Sequence, residues 1–213
     1  MFAVLKNATN TNRLSAEIMK VIIATRNVDK GDELKSLLKE YGIEGKTLNE
    51  FDSDGKIPEI EETGATLEEN AFIKARVIHK LTNMPVIADD TGLEVDALDG
   101  APGVYSARYA GDSCTYEDNV NKLLQSLNGI APERRSARFR TVACFVDTEK
   151  ELSTEGSVEG VIAENPAGEY GFGYDPVFYI PQLGKTYAEL TEDEKNRYSH
   201  RGNAIRELMS QLT

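Results

Sequence analysis

The sequence predicts an α/β protein with a mixed β-sheet. Short apolar runs of the kind found in buried strands, Val21-Ile22-Ile23-Ala24 and Pro85-Val86-Ile87-Ala88, adjoin segments whose apolar residues recur at helical spacing. Two longer strand-like segments, 137–146 and 152–162, follow one another closely enough to form a hairpin. Helices that interleave with strands and then give way to a hairpin define the class.

In chain order, residues 1–18 are rich in Asn, Thr and Ala and lack the continuous apolar core of a secretory signal. They are set apart as an N-terminal extension of unassigned role, a short helix or a stretch ahead of an alternative start at Met19. Residues 19–213 are expected to form a single domain. Val21–Thr25 is a short buried strand, and 30–41 is a helix with Leu34, Leu37 and Leu38 on one face, ended by Gly42. Residues 47–64 read as irregular and acidic, with Pro58 and Gly64. Thr66-x-x-Glu69 is a capping box opening a second helix to about Leu81, with Leu67, Ala71, Ala75 and Ile78 on one face. A strand at 85–88, a Gly/Pro-rich loop at 99–103 and a helix over 116–127 precede the hairpin. A further strand at 177–180, a helix opened by Thr191-x-x-Glu194 and a last helical segment near 203–212 complete the chain.

The 213 residues carry 24 Lys+Arg against 36 Asp+Glu, a net charge of -12. That balance argues against non-specific nucleic-acid binding and against docking on anionic membrane, both of which need a basic face. No run of about 18 apolar residues exists to span a bilayer. Cys114 and Cys144, the two cysteines, make no disulfide framework and have no zinc-type spacing. The composition is that of a soluble, cytoplasmic globular protein.

Five constellations carry chemistry. Thr25-Arg26-Asn27-Val28-Asp29-Lys30 lies between a strand and a helix, where unpaired backbone N–H groups at the positive end of the helix dipole suit phosphate and Lys30 adds a charge. It is not a P-loop, and an ordinary turn capped by Asn27 or Asp29 explains it equally well. Asp89-Asp90-Thr91-Gly92 places two consecutive carboxylates after an apolar strand, at the carboxyl edge where open α/β sheets hold ligands. Adjacent carboxylates raise each other's proton affinity unless a cation stands between them, and oxygen-only ligands suit Mg²⁺. From Glu50 to Glu69 there are eight acids and one lysine, mostly a solvated face, from which one glutamate could complete a metal site with Asp90. Asn70 and Lys74, four apart, share a helix face apart from the apolar stripe.

Gly171-Phe172-Gly173-Tyr174-Asp175-Pro176 flanks an aromatic with glycines, so the backbone can approach a ligand while Phe172 offers a face for stacking a base. Lys195-Asn-Arg-Tyr-Ser-His200-Arg201 is a basic cluster able to hydrogen-bond a polar ring, or simply to neutralise a helix C-terminus. His79, the other histidine, sits mid-helix and reads as structural.

In this order, Thr25-x-Asn27-x-x-Lys30, Glu62-Thr63-Gly64, Glu69-Asn70, Ala88-Asp-Asp-Thr-Gly-Leu93, Gly100-Ala-Pro-Gly-Val-Tyr-Ser-Ala-Arg108, Gly171-Phe-Gly-Tyr-Asp-Pro176 and Ser199-His-Arg201 closely resemble the inosine triphosphate pyrophosphatase (Ham1-like) family, in its bacterial dITP/XTP pyrophosphatase form. The resemblance covers roughly residues 19–212. Arg26 departs from it, standing where the family usually has a small residue, and Thr91 stands in place of the usual Ser while keeping the hydroxyl. Arg26 either alters the fit at the phosphate loop or points to solvent. The extension before Met19 has no counterpart in the family pattern.

The resemblance implies an elongated, curved mixed sheet flanked by helices, with two lobes around a central cleft, usually as a homodimer. It implies Mg²⁺-dependent hydrolysis of ITP, dITP and XTP to the monophosphate and pyrophosphate. By position, Asp90 would be general base and metal ligand, with Glu62 a second ligand and Asp89 close by. Thr25, Arg26, Asn27, Val28, Asp29 and Lys30 would hold phosphates, joined by Thr91 and Lys74. Phe172, Gly173, Tyr174, Asp175, Lys195, His200 and Arg201 would hold the base. A triphosphate entering a protein of charge -12 needs such local cations. A donor from Arg201, His200 or a backbone N–H aimed at C6 would donate to the carbonyl of hypoxanthine or xanthine and be left unpaired by adenine. Rival readings are a pyrophosphatase for other modified nucleotides and a nucleotide-binding regulator without catalysis; intact Glu62, Asp89 and Asp90 speak against the regulator.

Overall fold

The computed structural model describes residues 18–212. Of the expected N-terminal extension only Ile18 falls among them; the rest lies outside the described residues. Eight strands form one open mixed sheet flanked by helices, in the order β2-β1-β3-β5-β6-β7-β8, with β4 also on β3. β1 (Lys20–Ile23) pairs in parallel with β2 (Glu44–Thr47) and with β3 (Val86–Val95). All other pairings are antiparallel: β3 with β4 (Pro102–Gly103) and with β5 (Ser136–Val146), β5 with β6 (Glu151–Ile162), then β7 (Phe178–Ile180) and β8 (Lys185–Thr186).

Helices α1 (Val28–Lys39) and α6 (His200–Leu212) cover one face of the sheet, where Leu34, Leu37, Leu38, Ile205 and Leu208 pack on Val21, Ile23, Ile87 and Phe145. Burying each such leucine removes its side chain from water, worth about 1.5–3 kcal/mol. Helix α3 (Leu67–Thr82) covers the other face, with Ala71, Ala75 and Ile78 against Ile22, Val86, Ala88 and Cys144. Beyond α1 and α6 the sheet carries a separate core of Leu93, Val95, Phe139, Phe178 and Tyr187 with α4 (Tyr116–Ser126). The polar pair Thr91 and Thr141, whose hydroxyls lie 2.7 Å apart, separates these two cores on the shared face. Gly156 lets β6 lie against the start of α6; a Cβ there would sit 2.2 Å from the His200 carbonyl oxygen and 2.3 Å from the Ala204 nitrogen.

Several local expectations change. The stretch expected to be irregular from residue 47 begins inside β2 and continues as the short helix α2 (Leu48–Phe51), with a complete capping box between Thr47 and Glu50. At Thr66 only half a box forms: Thr66 accepts from the Glu69 N–H, but the Glu69 carboxylate turns to the Ala65 N–H. The box at Thr191 is complete and opens α5 (Glu192–Tyr198). The last helix starts at His200 instead of near 203, so the basic cluster spans the α5–α6 junction. β3 does not end at Ala88; its pairing with β5 runs unbroken to Val95 and places Asp89 and Asp90 inside the sheet.

Candidate active site

The parallel strand β1 stops at Ile23 while its neighbour β3 continues, leaving a notch beside Asp89, Asp90 and Thr91. The loop from Ala24 fills one side of it. Asn27 caps α1 by accepting the Lys30 N–H at 3.0 Å, and its own N–H donates to Thr25 Oγ1 at 3.1 Å. This leaves the N–H groups of Val28 and Asp29 without intrahelical acceptors at the positive end of the helix. The Val28 side chain itself is exposed, and the Asp29 carboxylate accepts from the Tyr116 hydroxyl, so neither side chain lines a cavity.

Consecutive strand residues point to opposite faces, and Asp89 and Asp90 therefore belong to different surroundings. Asp90 faces α3. Its carboxylate accepts from Asn70 Nδ2 at 3.2 Å and lies 3.3 Å from Lys74 Nζ, which is 2.8 Å from Glu62. Asn70 accepts in turn from the Gly64 N–H at 2.8 Å, tying the acidic loop to the helix. Burial raises the Asp90 pKa above the ordinary aspartate value, against the pull of Lys74 and Lys30. Burial alone would lower the Lys74 pKa, but Asp90 and Glu62 outweigh it and keep the ammonium charged.

Asp89 faces α1 and α6. It accepts from Arg201 Nε at 3.0 Å and from the Thr91 hydroxyl at 3.2 Å, with Lys30 Nζ at 3.9 Å. Burial pushes its pKa up, but Lys30 and Arg201 together hold the carboxyl well below the usual range. Arg201 is wholly buried and also pairs with Glu33, which bonds Lys195 at 2.5 Å; Lys195 reaches Asp175 at 2.6 Å. Asp89, Arg201, Glu33, Lys195 and Asp175 thus form one chain of alternating charges. Among the described residues no buried side-chain nitrogen or oxygen lacks a partner.

Two cavities open on this arrangement. A cleft of about 470 Å³ is lined by Thr25, Arg26, Asn27, Lys30, Glu62, Lys74, Asp90 and Thr91, with Pro58, Glu59 and Ile60 along its rim. A narrower pocket of about 90 Å³ is lined by Phe172, Gly173, Tyr174, Asp175, Lys195, His200 and Arg201, together with Ser106, Tyr116, Asn119 and Phe139. Asn27, Lys30, Thr91 and Ala107 border both.

In the narrower pocket the Phe172 ring lies over Lys195 Nζ, 4.6 Å from the centroid, and is tilted against Tyr116 at 5.8 Å. Asp175 holds that loop by accepting the Phe172 N–H at 2.9 Å, so close that a Cβ on Gly171 would lie 2.1 Å from its oxygen. Tyr174 turns its hydroxyl to the Ser106 carbonyl at 2.9 Å. His200 stacks on Phe139 at 4.6 Å, and burial, with Arg201 and Lys195 nearby, takes its pKa well below 6.5 and keeps the imidazole neutral.

Of the residues expected in the site, the structure gathers all but the Val28 and Asp29 side chains around these two cavities or in the charges behind them. It divides the aspartates, however: Glu62 and Asp90 meet on one cation, while Asp89 is turned away from them towards Arg201. The Glu62–Asp90 pair is suited to a hard divalent cation, because two oxygen donors already share the ammonium of Lys74 and the open cleft leaves room for water. Among the described residues no group of three or more His, Cys, Asp or Glu side chains could hold a metal unaided. Sequence reasoning missed Glu33, Tyr116, Asn119 and Phe139. Glu33 alone left a trace, as a charge beside the apolar stripe of α1 and one turn from Lys30. Cys144 is buried with its thiol pushed up to about 12, and His79 bonds the Met84 carbonyl at 2.6 Å; neither belongs to the site.

The Ham1 family model matches residues 21–211. A dITP/XTP pyrophosphatase of Thermoanaerobacter sp. (strain X514) is 51% identical over 194 residues, covering 91% of this chain and 96% of that protein. A dITP/XTP pyrophosphatase of Bacillus subtilis (strain 168) is 51% identical over 197 residues, covering 92% and 98%. Among solved structures, a HAM1 protein from Coxiella burnetii superimposes with a TM-score of 0.80 at 42% identity, over 91% of this chain and 98% of that one. The Staphylococcus aureus Ham1 protein gives 0.78 at 41% identity, over 91% and 97%.

Proposed function

The chain belongs to the Ham1 family, and on that basis we propose that it hydrolyses ITP, dITP and XTP to the nucleoside monophosphate and pyrophosphate, clearing deaminated purines from the nucleotide pool. The observation that carries this reading is the pair of cavities sharing Lys30 and Thr91: a roomy cleft lined by cations and carboxylates, and a narrow aromatic pocket beside it. A nucleotide has that division of chemistry, with polyphosphate at one end and base at the other.

In this reading the triphosphate lies along Thr25, Asn27 and Lys30, against the open N–H groups at the start of α1. Glu62 and Asp90 would hold Mg²⁺, which when bound neutralises charge on the phosphate oxygens. Asp90, oriented by Asn70, takes a proton from the attacking water as its oxygen bonds to the α-phosphorus and the bond to the pyrophosphate oxygen breaks. Before any cation binds, burial holds the Asp90 pKa above the ordinary aspartate value. Lys74 balances the carboxylates and moves to phosphate when the cation site fills. Asp89 serves from behind, fixing Arg201 and drawing Lys30 towards the cleft. The base stacks on Phe172, and donors from the Arg201–His200 side read its C6 carbonyl. Residues 19–213 act as one catalytic unit, taken as a cytoplasmic homodimer on the family resemblance; sedimentation of the purified protein tests the dimer.

The deciding experiment is product analysis with Mg²⁺ and ITP, dITP, XTP, dATP, dGTP and dTTP in separate reactions. Pyrophosphate and monophosphate from the first three alone is the expected result. Orthophosphate and diphosphate would place attack at the γ-phosphorus and overturn the assignment. Equal cleavage of every nucleotide would remove Phe172, His200 and Arg201 from base reading. ITP binding without turnover would make the protein a nucleotide-binding regulator.

A further inference from the structure

Arg26 stands in the middle of the phosphate loop, yet its side chain is directed across the cleft mouth to another segment. Its Nη2 donates to Asp52 Oδ2 at 2.8 Å and to the Ile57 carbonyl at 3.0 Å. The backbone of the same loop is fastened to α2, since the Leu48 N–H donates to the Thr25 carbonyl at 3.2 Å and Asn49 Nδ2 to the Arg26 carbonyl at 2.9 Å. Asp52, which ends α2, also accepts the Lys56 and Ile57 N–H groups, both at 2.9 Å. Asp52 is therefore a knot in which three donors meet, one of them brought from the phosphate loop.

The knot lies at the base of the segment that carries Glu62. Pro58, Glu59 and Ile60 form the cleft rim, and Glu62 closes on Lys74 just beyond them. No helix or strand occupies 52–66, and between Ile57 and Gly64 the polar tether of the loop is the Glu62–Lys74 pair. Ile57 and Ile60 add apolar contacts to the core beneath α3, and the rest of the segment depends on the bonds at its ends.

We propose that Arg26 is a positioning residue, a strap from the phosphate loop to Asp52 and Ile57 that sets where the Glu62-bearing loop stands over the cleft. The strap acts on both sides of the substrate: it holds the loop that cradles phosphate and the loop that supplies a carboxylate opposite it. Its effect on turnover rests on reading the cleft as the polyphosphate site; its effect on the loop does not.

Two measurements on the full chain test it. The first is trypsin cleavage after the exposed Lys56, followed by mass spectrometry without nucleotide or metal. Arg26→Ala is expected to speed that cut at least about fivefold over cuts elsewhere, and Arg26→Lys, which keeps a donor and the charge, to restore most of the protection. The second is steady-state hydrolysis of ITP. Arg26→Ala is expected to raise KM and the half-saturating Mg²⁺ concentration about 10-fold or more, with kcat falling less than KM rises, since displacement of a positioning group is costly. Asp52→Asn should reproduce both effects, and the double variant should be no worse than either single one.

An unchanged cut at Lys56 in Arg26→Ala overturns the strap. So does a raised KM in Arg26→Ala with a neutral Asp52→Asn, which would mean that the guanidinium binds phosphate directly. If the wild-type protein turns over no nucleotide, the proposed activity fails, and the cleavage comparison still judges the strap by itself.

Discussion

Asp89 and Asp90, neighbours along β3, face opposite sides of the sheet: one lies 3.0 Å from Arg201 Nε and the other 3.3 Å from Lys74 Nζ. Strand alternation thus separates two carboxylates that adjacency in sequence would set in competition for one proton or one metal. Asp89 becomes a buried counter-ion and Asp90 a group open to the cleft.

Asp90→Asn tests the division. It keeps the shape and the Asn70 contact but removes the proton acceptor and one metal donor, so kcat should fall about 10²- to 10⁴-fold while ITP binding without metal, measured by calorimetry, is not weakened. An unchanged rate would remove Asp90 from the base role.

Lys74→Met leaves Glu62 and Asp90 facing one another without their cation. Breaking a buried pair this way costs about 3–5 kcal/mol, so thermal unfolding without metal should shift down by many degrees. Added Mg²⁺ should then raise Tm more in the variant than in the wild type, because it fills the place the ammonium left. Equal metal responses in the two proteins would count against a shared cation site.

Phe172→Ala removes the stacking face over Lys195. Base–aromatic stacking contributes about 1–3 kcal/mol per base, which corresponds to a KM for ITP raised by roughly 5- to 150-fold. A variant that folds normally and keeps its KM would show that Phe172 only covers the lysine.

His200→Phe bears on stability against pH. The folded-state pKa lies well below 6.5, through burial first and then Arg201 and Lys195. On acidification the unfolded chain therefore takes up the proton first. The contribution of neutral His200 is complete above 6.5 and is lost as pH falls towards the folded value, with a slope approaching about 1.4 kcal/mol per pH unit. Chemical denaturation from pH 7 to 5 should show the wild type losing stability faster than the variant; parallel curves would mean that the folded and unfolded chains take up the His200 proton alike.

Much of the fold is legible in the chain because its signals are local. The apolar runs at Val21–Ile23 and Val86–Ala88, the leucines of α1 and the Thr191–Glu194 capping box each draw on residues a few positions apart. The motifs around Asn27, Asp90, Phe172 and His200 are equally visible, since side-chain chemistry and glycine placement are written residue by residue. The stretch from 47 misleads because β2 is a short edge strand, Glu-Gly-Lys-Thr, held by its pairing with β1 and not by its own composition.

Local chemistry was thus enough for the class of the sheet, most of its helices and the inventory of reactive groups. How those groups are shared out was settled only by packing. The length of β3 depends on ten paired positions with β5, whose first residue lies more than forty positions away in the chain, and that length puts Asp89 and Asp90 on opposite faces. Glu33 meets Arg201 across 168 residues, and Arg26 meets Asp52 across 26. No periodicity records such partners, because a buried charge is tolerated wherever the fold brings its counter-charge, and only the packed chain says where that is.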